Sequence, residues 1–288
     1  NSQQRKHAVN GFGVLENLNI PGVIIDAKSN QVDVMGLQAT LYLNGQECDI
    51  REIQMLRPRD IEKIEYHDAP SGKYAKDKLV VNFITKQYRY GGYVQADGLQ
   101  TIGYDHGDYN VATNYVKGNN SYTMFAGANY SHVDGTETWN NENYQFPQSL
   151  FDRESYSKNS YRNHQEYMQF RYQNQKGKRY WVGKFTLVNL STPRNASSGF
   201  ARESIETDVF SNIRKKSLSS KIDLNANLPL SKNQTLTLGV HGKYSANSYH
   251  RLYQEQPFEA MTDEDEKVLS FQLSAIYNYF FQKHSLSV

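Results

Sequence analysis

From Gly91 onward, polar and apolar residues take turns, and this period of two limits the possible folds more than any other feature. Leu218, Ile222, Leu224, Ala226, Leu228 and Leu230 share one parity, with Lys221, Asp223, Asn225 and Asn227 interleaved. The pattern returns as Leu236, Leu238, Val240, Gly242 and Tyr244, and again as Leu269, Phe271, Leu273, Ala275, Tyr277 and Tyr279. Shorter versions are Tyr122, Met124, Ala126, Ala128 and Tyr130, and Met168, Phe170 and Tyr172. Successive side chains of a strand point to opposite faces, so each set lies on one side of a sheet. The spacing predicts strands at 88–98, 108–117, 121–133, 164–174, 179–191, 216–230, 234–250, 267–281 and from 284 onward.

The links between these strands alternate in length. "GNN", "QKGK", "SKN" and "QK" are tight, whereas the intervening links are longer, the third running from Asp134 to Asn163. Short turns at one end and long loops at the other are the pattern of membrane-spanning β-barrels. Tyr88, Tyr90, Tyr93, Tyr180, Trp181, Tyr277, Tyr279, Phe280 and Phe281 lie near strand ends, where an interfacial aromatic girdle would sit. A soluble sandwich or lipocalin-like barrel also has period-two strands. Strands of about eleven residues, against a globular mean of about five or six, favour the membrane barrel.

Composition agrees. Only 38% of residues are hydrophobic, yet 13% are aromatic, with 22 Tyr. Mean hydropathy is −0.75. Disorder is poor in aromatics, so this combination suits a chain in which alternate positions alone are apolar. A net charge of +2 gives no bulk electrostatic case for nucleic acid, and none is expected as a partner. The single cysteine, Cys48, is expected as a small buried hydrophobe. No run of eighteen apolar residues offers a transmembrane helix.

The first 87 residues read differently, as a small mixed α/β unit. "GVIID" and "QVDVMG" are short strands, and "LYLNGQEC" is a hairpin turning at Asn44-Gly45. Ile50, Ile53 and Leu56 suit one helix face, Pro58 interrupts, "IEKIEYH" is a strand, and "KLVVNFITK" is a buried strand. The order of these motifs resembles the plug domain of TonB-dependent outer-membrane receptors. The matching positions are Pro21-Gly22-Val23, Gly36, Asn44-Gly45, Ile61-Glu62 with Ile64-Glu65, Pro70 with Tyr74, and Ile84-Thr85-Lys86. The wording is most similar to the Bacteroidetes branch. "AKDKL" replaces the family's usual Gly-Gly, which makes the turn from Tyr74 to Lys78 charged.

The resemblance implies a plug at 1–87 followed by barrel strands at 88–288. It also implies residence in the outer membrane of a Gram-negative bacterium, surrounded by its lipid, and TonB at the inner membrane as partner. The implied activity is import of an external ligand, a siderophore, glycan or similar nutrient, on TonB-supplied energy. No enzymatic step and no cofactor are implied. The alternative is a non-transporting barrel that docks or signals through a surface lipoprotein. An 80-residue plug is about 30 Å wide. Plugged transporters use about 22 strands, so the nine predicted strands are expected to be part of a larger barrel.

Other constellations are weak. Neither His-Glu-x-x-His nor Gly-x-Ser-x-Gly occurs, and no metal or catalytic residue is assigned. Asp105, His106 and Asp108 are expected in a Gly-containing loop, and "MTDEDEK" (261–267) as a solvated acidic run before a strand. Glu62 and Glu65 near His67 are read as structural. The long third link carries Trp139, Tyr144, Phe146 and Tyr156 among many Asn and Gln. Aromatic faces beside amides suit a sugar or a chelate, which makes these four the candidate ligand contacts.

Overall fold

The computed structural model describes residues 5–25, 31–34, 36–70, 74, 77–86, 88–146, 149–203, 205–281 and 284–287. The chain divides into two compact units, one ending at residue 91 and the other beginning at residue 92. No described helix is long and apolar enough to cross a membrane.

The first unit contains two small sheets together with short helices. Helix α1 (Gly11–Glu16) starts where the Asn10 side chain accepts a hydrogen bond from the Gly13 amide at 3.0 Å. Strands β1 (Val23–Ile25), β2 (Val32–Val34) and β3 (Leu37–Gln38) form an antiparallel sheet. Gly22 (φ 80°) and Gly36 (φ 81°) adopt backbone conformations that favour glycine, just before β1 and between β2 and β3. Pro21 and Gly22 thus set the entry to β1.

The second sheet has the order β5-β4-β7-β6, with β4 (Thr40–Leu43), β5 (Gln46–Glu47), β6 (Ile61–His67) and β7 (Val80–Thr85). β4 runs parallel to β7, and β6 is antiparallel to it. Between β5 and β6 lie helix α2 (Ile50–Gln54) and a 3-10 turn at Pro58–Asp60. Phe12, Leu15, Val32, Ile53, Ile61, Val81 and Phe83 are buried together, each worth about 1.5–3 kcal/mol of burial. Cys48 is only partly buried, at the edge of this core, a correction to the expected full burial.

Several plug-motif residues meet in one polar network. Asn44 (φ 53°) and Gly45 (φ 77°) have the two positive φ angles of a tight hairpin turn. The Asn44 carboxamide donates to Thr85 Oγ1 and accepts from the Thr85 amide, both at 2.9 Å. The buried Asn82 accepts from the Gly45 amide at 2.9 Å and donates to Glu65 at 2.8 Å. Glu65 also pairs with Lys63 at 2.7 Å. Tyr74 packs edge-on against Tyr42, ring centroids 4.7 Å apart. The Tyr42 hydroxyl donates to Asp77 at 2.6 Å, as Thr40 does at 3.1 Å, so the charged residue in the unusual turn has a structural role. Glu62 is exposed, and its carbonyl accepts from Arg5 at 3.3 Å. Pro70 is half-buried after β6, and the Lys86 amide donates to the Asp60 carbonyl at 2.8 Å.

The second unit is one antiparallel sheet of nine strands in sequence order. They are β8 (Tyr90–Thr101), β9 (Asp105–Lys117), β10 (Asn120–Phe146), β11 (Ser149–Lys176), β12 (Arg179–Arg202), β13 (Glu206–Ser231), β14 (Gln234–Glu255), β15 (Phe258–Phe281) and β16 (His284–Ser287). The number of strands and the tight turns at "GNN", "QKGK" and "SKN" are as expected, and "QK" lies outside the described residues; the long loops are not as expected. Strands β10 to β15 continue for 22 to 28 residues, and the segment 134–163 is a paired hairpin. Beyond the apolar stretches polar residues occur on both faces among scattered aromatics, so hydrophobic alternation fades while the backbone ladder continues. The expected loop at 134–163 corresponds to the part of β10 and β11 where alternation is lost and pairing is not.

Candidate functional site

Register makes the two faces of the large sheet chemically opposite. Directly opposed residues of an antiparallel pair share a face. One row joins Met124, Phe170, Phe185, Ile222, Gly242 and Phe271 across β10 to β15. The adjacent row on the other face joins Thr123, Arg171, Lys184, Asp223, His241 and Gln272. The apolar face is exposed: Ile222 and Leu224 at 48%, Phe271 and Leu273 at 68%. The polar face is covered at its centre, with Gln169 at 0%, Arg171 at 4% and Asp223 at 5%, while Gln272 on β15 is exposed. A water-soluble sheet would have the reverse arrangement.

The polar wall centres on Asp223. Its carboxylate lies 2.8 Å from His241 Nδ1, 3.4 Å from Lys221 Nζ and 4.0 Å from Lys184 Nζ. Asp223 Oδ2 and Gln169 Nε2 are both buried without a hydrogen-bond partner. Tyr167 donates to Gln169 Oε1 at 2.6 Å. The sequence pattern marked Lys221 and Asp223 as one polar face. It did not reveal Arg171, Lys184 and Gln169, whose membership depends on register.

At the far ends of the long strands, Arg153 of β11 holds the same wall together. It donates to both Glu255 oxygens, at 2.9 and 3.0 Å, and to Glu203 at 3.1 Å. The Tyr253 hydroxyl donates to Glu255 as well. Hydrogen bonds from Tyr253 and then from Arg153 hold the Glu255 carboxyl below its ordinary range, against the opposing effect of burial. A carboxylate of this kind stabilises fully above its unfolded pKa and loses that effect as pH falls through the lower folded value. Limited proteolysis of the strand ends should therefore stay slow down to about pH 4.3, the unfolded value for Glu, and quicken below it as pH falls toward the lower folded value. In Arg153→Ala the folded value rises toward the unfolded one, so cleavage should be faster already at neutral pH and should change less as pH falls. Identical pH profiles would exclude the clamp.

The four aromatic candidates do not form one site. Gly135 (φ 80°) inserts a bulge between Asp134 and Thr136, which reverses the parity of β10 relative to β11. Trp139 and Tyr156 consequently share the exposed-apolar face, their rings tilted at 45° with centroids 4.5 Å apart and Phe200 5.8 Å from Tyr156. There Tyr156 and Phe200 line an open groove of about 750 Å³ with Phe210, Lys158, Glu206 and Asp208. Tyr144 and Phe146 lie on the opposite face, the one carrying Arg153, and are 46% and 56% exposed. The Tyr144 hydroxyl donates to Glu142 at 2.9 Å. The expected loop site is thus a pair on each face of a hairpin.

Two smaller expectations also change. Asp105, His106 and Asp108 begin strand β9, where neighbouring side chains alternate, and Asp105 pairs with His132 at 3.5 Å. Residues 261–267 lie within β15; Asp263 pairs with His250 at 2.6 Å and Glu266 accepts from Asn247 at 3.0 Å.

No family model and no curated protein matches the chain. Among solved structures, 98% of the chain aligns with 61% of the ferric yersiniabactin uptake receptor FyuA from Yersinia pestis, at 13% identity and a TM-score of 0.35. It aligns over 96% of its length with 50% of the copper transporter OprC, at 10% identity and a TM-score of 0.41. It aligns over 98% with 66% of the ferric-catecholate import receptor Fiu from E. coli K12, at 10% identity and a TM-score of 0.33. The chain therefore spans between half and two thirds of the length of these structures.

Proposed function

We propose that the chain is the plug, 1–87, and first barrel strands, 88–288, of a TonB-dependent outer-membrane receptor. The observation that carries this reading is the exposed apolar band facing away from a buried polar wall. On β13 the band runs from Leu218 to Leu228. Eleven residues at about 3.3 Å each, tilted by about 45°, rise about 25 Å, the height of the lipid-facing band of such barrels. Tyr115, Tyr122 and Tyr172 form an aromatic row at its turn end. The plug-motif network around Asn44, Gly45, Asn82 and Thr85 supports the same assignment.

In this reading an extracellular ligand binds at the inner face of the barrel mouth, and TonB-supplied energy moves it inward. Tyr144 and Phe146 line that mouth, with the Arg153 cluster below them. Trp139 and Tyr156 face outward. No covalent step is needed, so the residues need only bind and release. The test is uptake of labelled siderophores, oligosaccharides and cobalamin by energised cells making the full-length protein. Substituting Tyr144 and Phe146 together by alanine should weaken uptake of the transported compound by about tenfold, the value of about 1.5 kcal/mol of aromatic contact. Trp139→Ala should not. Absence of uptake of all three classes would overturn transport and favour a docking or signalling barrel.

A further inference from the structure

Immediately beyond the apolar band, the outward face carries an arginine row. Register places Arg162 of β11 opposite Arg194 of β12. A bulge between Thr192 and Asn195 sets Arg194 beside Arg214 of β13, which in turn opposes His250 of β14. Lys216 lies one step nearer the band. Neighbouring strands are about 4.8 Å apart, and like charges placed directly opposite are destabilising. Local carboxylates answer only part of this charge. Asp134 pairs with Arg162 at 3.4 Å, and Asp263 is taken by His250 at 2.6 Å. Asp265 opposes Ser248, which separates it from Lys216. Among the described residues, Arg194, Arg214 and Lys216 have no ion pair and are exposed. The Nε of Arg162 is buried without an acceptor.

The height of the row is informative. Arg214 is four residues beyond Leu218, where the unbroken apolar run of β13 gives way to Lys216, Arg214 and Asn212 on the same face. That is about 13 Å along the strand and about 10 Å along the membrane normal at the usual tilt. The headgroup layer extends about 5–8 Å beyond the hydrocarbon, within reach of long arginine and lysine side chains. We infer that Arg162, Arg194, Arg214 and Lys216 form a docking site for the phosphorylated headgroup of an outer-leaflet lipid, whose acyl chains lie on the band below. This rests on the membrane-barrel reading above.

The test uses the full-length protein inserted in bilayer discs, with retention of a bis-phosphorylated glycolipid compared with its dephosphorylated form. The phosphorylated lipid should be preferred, and the preference should shrink in high salt. Each basic residue near an anionic surface contributes about fivefold, so Arg194→Ser with Arg214→Ser should weaken retention by about thirtyfold. Arg251→Ser, one residue from His250 on the opposite face, should leave it unchanged. Salt dependence in the unmodified protein provides the readout if the double variant does not fold. Equal retention of both lipids by an inserted protein overturns the inference and leaves the receptor reading standing. Displacement by millimolar inorganic phosphate overturns the lipid as occupant. Failure of the unmodified protein to insert into any bilayer overturns both readings.

Discussion

Asp223→Ala should destabilise the folded protein by about 3–5 kcal/mol, the usual effect of removing one member of a buried charge cluster. The carboxylate side chain is 7% exposed and Lys184 is 11% exposed, so water does little to screen either. His241 and Lys221 lose the same carboxylate, at 2.8 and 3.4 Å. A urea titration of the full-length protein refolded into lipid vesicles would measure the loss. If the effect comes from stranded positive charge, Asp223→Leu combined with Lys184→Met should recover much of it, because both charges then leave together. A loss below about 1 kcal/mol, the scale of a solvated pair, would mean that water reaches this wall.

The two faces were legible in the sequence wherever alternation was clean. Leu224, Ala226 and Leu228 could be set against Asp223, Asn225 and Asn227 without coordinates, and Asn44-Gly45 announced its turn. Register was not legible. Arg153 and Glu255 are separated by 102 residues and meet only because β11 and β14 end at the same height. The bulge at Gly135 was equally silent. A single glycine amid polar residues gives no signal that parity changes there, and that change is what brings Trp139 onto the face of Tyr156. Strand ends were missed for a related reason. Local pattern reports burial differences between faces, whereas the ladder persists on backbone hydrogen bonds that need no such difference.

Leu224 offers the sharpest separation between a membrane wall and a soluble sheet. It adjoins Asp223 in the chain and occupies the opposite face, 48% exposed, between Gly183 of β12 and Val240 of β14. On a soluble sheet, arginine at so exposed a position would change stability by no more than about 0.5 kcal/mol. Near the middle of a bilayer it should cost about 2–4 kcal/mol, because the guanidinium must either lose its water or drag water and headgroups inward. Leu218→Arg, at the band's edge, should cost only about 0–1 kcal/mol, since the headgroup layer is within reach. Measured in vesicles, the two substitutions give a depth profile from one strand. Equal, small effects at both positions would place this face in water and remove the physical basis for reading the sheet as a membrane wall.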